Sequence, residues 1–352
     1  MSEFLSKRLT GSEPYTPGEQ PKRSEYIKLN TNENPYPPTR HAVNRIDVDV
    51  LERARLYCDP DCTELTEAIA EFYGVPSECV LATNGSDEAL AFCFAAFGDR
   101  GAVFPDITYG FYRVFARLFG VEYGEIPLRD DFTVNVDDYA NIDRMVVLAN
   151  PNAQTGIALS FAETEKIIKT NKNSVVVVDE AYVDFGGESA IKLTGKYNNV
   201  VVVQTFSKSR ALAGARVGFT VACKELIDDL KRVKFSFNPY NVNSISALLA
   251  VEAIKDVAYF KANVKKIVAT RERLTEELVR LGYRVLPSSA NFVLAESPRL
   301  SGEELYCALK SKGVLVRHFD EARITDFVRI TVGTDEQTDA LIKAIKQTEN
   351  LI

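Results

Sequence analysis

The sequence predicts an α/β protein: a mostly parallel sheet in a large domain, followed by a smaller α+β domain. Valine-rich runs that read as strands recur between stretches of helical spacing, as at 145–151, 174–182 and 201–209. A strand that is apolar at successive positions is covered on both faces, and the intervening helices supply that cover, which is the pattern of a parallel sheet. Beyond about residue 240 the pattern changes to a long helical stretch (245–281) and then to short strand-like segments alternating with helices. The 352 residues suit about two domains at roughly 100–200 residues each. The chain therefore divides into an N-terminal arm that is also part of the small domain (1–40), a large domain (41–245) and a small C-terminal domain (246–352).

The elements follow in order. Prolines at 35, 37 and 38 exclude helix and central strand from TNENPYPPTR (31–40), which reads as an extended arm or loop. TELTEAIAEFY (63–73) carries apolar residues at helical spacing, with Thr63 placed as its N-cap. CVLATNG (79–85) is a short strand ending in glycine, and SDEALAFCFAAFG (86–98) is a mostly apolar, buried helix. AVFPD (102–106) is a strand, the segment 108–120 a helix, and MVVLANP (145–151) a strand running into a turn. SFAETEKIIKTN (160–171) is an amphipathic helix; SVVVVDEAY (174–182), VVVQTFSKS (201–209) and RVGFTVA (216–222) are strands. The smaller unit has strand-like text at 283–288, 290–297, 314–319 and 327–333, a helix at 302–312 and a final helix.

Composition removes several classes. With 46% apolar and 26% charged residues the chain is neither disordered nor collagen-like nor a disulfide scaffold. The net charge of -7 argues against a broad basic surface, so nucleic acid is not an expected partner. No apolar run reaches the roughly 18 residues of a membrane span, and the first residues lack an apolar signal core, so a cytoplasmic protein with no membrane partner is expected. The six cysteines read as free thiols in a reducing compartment. The only histidines are His41 and His318, which excludes a His-rich metal site, and no metal is expected. No G-x-G-x-x-G opens a helix and no G-x-x-x-x-G-K-[ST] occurs, which excludes the common nucleotide loops.

Strands of an open parallel sheet end at one edge, and ligands bind there. Polar and ionisable groups follow five successive strands. Gly85 and Ser86 open a helix, where free backbone N–H groups and the positive dipole end suit an anion. Ser207 and Arg216 flank Lys208 and suit the same anion. Tyr109 offers a ring for stacking. Asp179 ends an apolar strand, where a buried carboxylate needs a cationic partner or loses its charge. Lys208, between hydroxyls in a short turn, is a candidate nucleophilic amine. Phosphate cradle, ring platform, buried acid and amine together match pyridoxal phosphate, whose ring nitrogen the acid would keep protonated. Each residue also has a plainer reading taken alone: Lys208 as a solvated lysine, Asp179 as a strand-end acid, Arg317 and Arg329 as surface ion pairs. Tyr112 reads as a core aromatic.

The motifs NGSDE (84–88), TYGFY (108–112), NPNAQTG (150–156), DEAYVDF (179–185), TFSKSRALAGARVGF (205–219) and RITVG (329–333) stand in an order that resembles the fold-type I pyridoxal-phosphate-dependent aminotransferases, class II, over nearly the whole chain. LNTNENPYPP (29–38) and LYCDPDCTELTEAIAEFYGV (56–75) narrow the resemblance to members acting on a phosphorylated amine. The resemblance implies a fold like that of the pyridoxal-phosphate-dependent transferases. It makes Lys208 the lysine that joins the cofactor covalently, Asp179 the partner of the ring nitrogen, Tyr182 the partner of the ring hydroxyl and Tyr109 the stacking ring. Gly85, Ser86, Thr205, Ser207 and Arg216 would bind the cofactor phosphate. Tyr57 would reach that phosphate in the other subunit, implying a homodimer. Arg317 and Arg329 would bind substrate anions, and Tyr15 and Asn32 would close over the substrate. The small-molecule substrates implied are a phosphorylated amine and 2-oxoglutarate or glutamate. A related decarboxylase of a phosphorylated amino acid and an aromatic amino-acid aminotransferase share these motifs, and a non-catalytic binding module is the alternative of another class. One departure stands out. Gln154 occupies the family's proline, and Ala153 the place where many relatives carry an asparagine against the ring oxygen. Either Asn152 takes that contact or Tyr182 makes it alone.

Overall fold

The computed structural model describes residues 2–6, 9–10, 13–21 and 26–349. The valine runs form the middle of a seven-stranded sheet. Its strands lie side by side in the order Val80–Thr83, Gly218–Ala222, Val200–Thr205, Val176–Asp179, Met145–Ala149, Ala102–Pro105 and Tyr123–Ile126. All neighbours pair in parallel except Gly218–Ala222, which is antiparallel to both strands beside it. Six strands therefore point their C-terminal ends at one edge, and the reversed strand begins there.

Alternation along each strand feeds two cores. Val176, Val178, Val200 and Val202 pack on one face with Leu65 and Ile69 of the Thr63–Tyr73 helix. Val177, Val201 and Val203 pack on the other with Leu90 and Phe94 of the Gly85–Phe97 helix. Both faces are dry, which is why these strands carry no polar alternation.

A second sheet of four antiparallel strands runs Arg317–His318, Phe327–Thr331, Phe292–Glu296, Arg284–Val285. Its apolar face packs on the Val257–Arg280 and Asp335–Thr348 helices through Leu274, Leu278, Leu341 and Ile345. The arm joins this unit: Ile27–Lys28 pairs in parallel with Val314–Leu315. Residues 29–39 then run without helix or strand to the Arg40–Asn44 helix. Among the described residues no helix is long and apolar enough to cross a membrane.

Local details differ from the sequence-based expectation. Thr63 is the first helical residue, not the N-cap; Cys62 holds that place at φ 49°. The Asp59 carboxylate accepts from the Thr63 N–H (2.7 Å) and does the capping from outside the helix. The strand Tyr123–Ile126 was not expected, because it is a half-exposed edge containing a glycine and lacks an apolar run. The stretch 245–281 breaks at Asp256, whose carboxylate caps the second helix by accepting from the Tyr259 N–H (3.1 Å). The division at 245/246 falls inside the Ser244–Lys255 helix, whose Ala250, Val251 and Ile254 are buried in the large sheet's core. By packing, that helix goes with the large unit, and Asp256 is the natural break.

Ile69 is fully buried where the Thr63–Tyr73 helix meets the sheet. Ile69→Ala removes those contacts and leaves a cavity, so urea unfolding should show a loss of roughly 2–5 kcal/mol.

Candidate active site

The strand ends open into a cavity of about 250 Å³. Asp179 and Lys208 both line it. Asp179 is 4% exposed at the end of a central strand. Its Oδ2 accepts from the Tyr112 hydroxyl (2.8 Å) and its Oδ1 from the Ala181 N–H (3.2 Å). Burial pushes its pKa up to about 6 even though both hydrogen bonds favour the ionised form. A cation beside it would oppose the largest cause, its burial. Tyr112 is core, as expected, yet its hydroxyl also aims the acid; nothing in an apolar helix pattern reveals that second task.

Lys208 follows the Val200–Thr205 strand in a polar turn. Its Nζ donates to the Thr31 carbonyl (3.2 Å) and stands 5.7 Å from the centre of the Tyr182 ring. The arm grips the same turn, since Asn34 Nδ2 donates to the carbonyls of Lys208 (3.0 Å) and Ser209 (3.2 Å). Tyr182 lines the cavity, and its hydroxyl accepts from Asn32 Nδ2 (3.0 Å). Asn32 is 1% exposed at φ 55°, a conformation asparagine tolerates better than most residues, and Thr331 holds its backbone N–H (2.9 Å). It therefore braces Tyr182 as well as bordering the cavity.

At one end the cavity is built for an anion. The Gly85–Phe97 helix starts there with no side chain capping its first N–H groups. Gly85 sits at φ +79°, and a Cβ on it would lie 2.6 Å from Arg216 Nη2. A Cβ at Gly218, on the reversed strand, would lie 2.5 Å from the Gly85 carbonyl carbon and the Ser86 nitrogen. Only glycines let turn, strand and guanidinium approach so closely. Ser86, Thr205, Ser207 and Arg216 line this end; Arg216 Nη1 donates to Ser207 Oγ (3.4 Å), and Thr205 Oγ1 bonds Ser207 Oγ (3.0 Å). Asp87 had no assigned role from sequence. Its carboxylate accepts from the Tyr109 hydroxyl (2.8 Å) and from Arg216 Nη2 (3.1 Å), tying Tyr109 to Arg216.

The opposite wall comes from the small sheet. Arg317 and Arg329 are direct partners across neighbouring strands, and both line the cavity. Like charges in that position repel, so the pair favours an anion between or before them. Tyr15 covers this side, its ring stacked on Phe111 at 4.2 Å. The Thr16 carbonyl accepts from Arg317 Nη2 (3.4 Å).

Two sequence-predicted residues stand elsewhere. Asn152 does not border the cavity. Its Nδ2 donates to the Ile107 carbonyl (2.8 Å), and its Oδ1 accepts from the N–H groups of Gln154 (2.9 Å) and Thr155 (3.0 Å). These bonds tie Asn152 to its own turn, where it shapes the loop. Tyr57 lies on the outer surface, 84% exposed and stacked on Tyr240 at 4.6 Å.

The donor set suits pyridoxal phosphate. Bare helix N–H groups, hydroxyls and Arg216 answer its phosphate, Tyr109 its ring face, Asp179 its ring nitrogen and Lys208 its aldehyde. A fold of this kind with such a site defines a class of transferase. The family model for class I and II aminotransferases matches residues 24–345, and the chain belongs to that family, whose members depend on pyridoxal phosphate. The chain is 50% identical over 349 residues to histidinol-phosphate aminotransferase 1 of Bradyrhizobium diazoefficiens, covering 99% of each chain. It is 48% identical over 349 residues to the histidinol-phosphate aminotransferase of Brachyspira hyodysenteriae, covering 98% of this chain and 99% of the other. The histidinol-phosphate aminotransferase of Sinorhizobium meliloti, solved in complex with pyridoxal-5'-phosphate, superposes with a TM-score of 0.88 at 22% identity over 100% of this chain and 99% of the other, a likeness of fold.

The buried acid has a pH signature. Folded Asp179 keeps its proton up to about pH 6, whereas an unfolded aspartate releases it near 3.8. Over that window the native state binds more protons, so this group's contribution to stability falls as pH rises. Glu180 beside it, raised by burial to about 7, adds a similar slope. In urea titrations of the cofactor-free protein at pH 4, 5 and 6, the stability of wild type relative to Asp179→Asn should decline stepwise. A constant difference would contradict the raised value.

Proposed function

We propose that this chain transaminates L-histidinol phosphate with 2-oxoglutarate, giving imidazole acetol phosphate and glutamate, in L-histidine biosynthesis. The observation that carries the reading is the Arg317–Arg329 pair, set across one cavity from Lys208 and Asp179. Each substrate has an anion away from its reacting carbon, a phosphate in one and a carboxylate in the other. A planar guanidinium can grip either with two parallel hydrogen bonds. The names of the relatives at 48% and 50% identity support the same substrate.

Pyridoxal phosphate, when bound, supplies a conjugated ring that accepts the electron pair left when a proton departs from the substrate carbon. The chain's residues do the rest. Gly85, Ser86, Thr205, Ser207 and Arg216 would hold the phosphate, and Tyr109 would stack on the ring. Asp179 keeps a proton on the ring nitrogen. Tyr182, braced by Asn32, donates to the ring oxygen without help from Asn152. Lys208 Nζ would hold the cofactor at its aldehyde and, as a free amine, would take and return the proton at the substrate carbon as general base and acid. Tyr15 excludes water above the arginines.

The same reading makes the protein a cytoplasmic homodimer acting on small molecules, with neither nucleic acid nor membrane as partner. The net charge of -7 speaks against nucleic acid. Exposed Leu51, Leu56, Tyr57 and Tyr240 support a second copy on that face, with Tyr57 reaching the other subunit's phosphate site. The arm (1–40), a cofactor-binding unit built on the large sheet and a C-terminal unit on the small sheet are the parts we assign.

The purified protein should be yellow, and borohydride should bleach it and fix the cofactor on Lys208. It should transaminate histidinol phosphate in preference to threonine phosphate and phenylalanine; no turnover of histidinol phosphate would remove the reading. Lys208→Ala should abolish turnover and borohydride fixation, and a fully active variant would refute the role given to Lys208.

A further inference from the structure

Gln154 lines the cavity. Its backbone N–H donates to Asn152 Oδ1 (2.9 Å), and Gly156 N–H donates to the Asn152 carbonyl (2.9 Å), so the loop that carries it is closed on itself. From that loop two acceptors meet one nitrogen of Arg329: the Ala153 carbonyl (2.8 Å) and Gln154 Oε1 (3.1 Å) both accept from Nη1. Phe292 and Phe319 lie against the same guanidinium, each ring centre 5.1 Å from Cζ. The group's plane and one of its corners are thereby set. What remains is the other edge. Nε is buried without a partner, and Nη2 has no hydrogen bond among the described residues. Those two N–H vectors are parallel, the geometry that accepts a carboxylate or phosphate in two bonds at once.

We infer that Gln154 is a positioning residue for substrate anions, holding Nη1 of Arg329 and leaving the Nε–Nη2 edge as a two-pronged anion receptor. The inference rests on the reading of Arg329 as a substrate-binding group and assigns to Gln154 the setting of its orientation. The Ala153 carbonyl alone leaves the guanidinium free to swing about one bond. Gln154 adds the second acceptor, and as a neutral amide it does so without cancelling the arginine's charge. A carboxylate in its place would make the same bond and compete with the substrate.

The test uses the holoenzyme with Gln154→Met, which keeps length and removes the acceptor, and Gln154→Glu, which keeps the acceptor and adds a charge. Glutarate, a dicarboxylate that cannot react, is titrated calorimetrically against each, and steady-state kinetics are measured with histidinol phosphate and 2-oxoglutarate. Removing a hydrogen bond to a charged group predicts that Gln154→Met weakens glutarate binding and raises both KM values about tenfold, with kcat changed by less than about twofold, the mark of lost binding that ground and transition states share. Gln154→Glu should bind glutarate more weakly still. Unchanged glutarate affinity in Gln154→Met, a Gln154→Glu enzyme equal to wild type, or a fall in kcat at constant KM would each overturn the inference. The Glu variant keeps the loop's acceptor, so the test stands even if the Met variant fails to fold. Failure of wild type to turn over histidinol phosphate would count against the proposed reaction, while the glutarate titrations still decide the link between Gln154 and Arg329.

Discussion

A carboxylate sits at the end of Val176–Asp179, in the middle of a sheet that is dry on both faces, and the rest of the site is arranged around its discomfort. Desolvation there outweighs a phenol and a backbone N–H that both support the ionised form. Such a group is tolerable when a cation is to arrive beside it. In the function proposed above, the ring nitrogen of pyridoxal phosphate would be that cation.

The sheet supplies the geometry. Six strands deliver their ends to one edge, so groups far apart in sequence share a cavity without long loops. The single reversed strand is part of that delivery: Gly218, at its start, lets the Gly85–Ser86 turn lie directly on it, and Arg216 just before it reaches the anion end. The second sheet adds what the first cannot, a pair of guanidinium groups opposite the amine. The arm ties the two together. It pairs with Val314–Leu315, braces Tyr182 through Asn32, and grips the Lys208 turn through Asn34.

Much of this was legible before any coordinates. Periodicity marked Thr63–Tyr73 and the valine strands because apolar cover on one stripe or both faces is written residue by residue. Glycine, lysine and aspartate at strand ends were legible because few other positions use those residue types together. In the NPNAQTG loop the part played by Asn152 was left open. An asparagine can serve a ligand or its own turn, and the sequence does not say which way its amide points.

The amino-acid sequence alone determined the α/β class, the aminotransferase family and the cofactor, since each depends on residue type in a local pattern. Tertiary structure decided the matters of direction and partnership: that the Gly218–Ala222 strand runs backwards, that the 245–255 helix packs with the large sheet, that Asp87 joins Tyr109 to Arg216, and that Gln154 rather than Asn152 faces the cavity. The physical reason is one of range. Patterning reports whether a side chain prefers water or oil, whereas a hydrogen bond between residues as distant as 154 and 329 exists only once packing has brought the two side-chain groups to about 3 Å from each other.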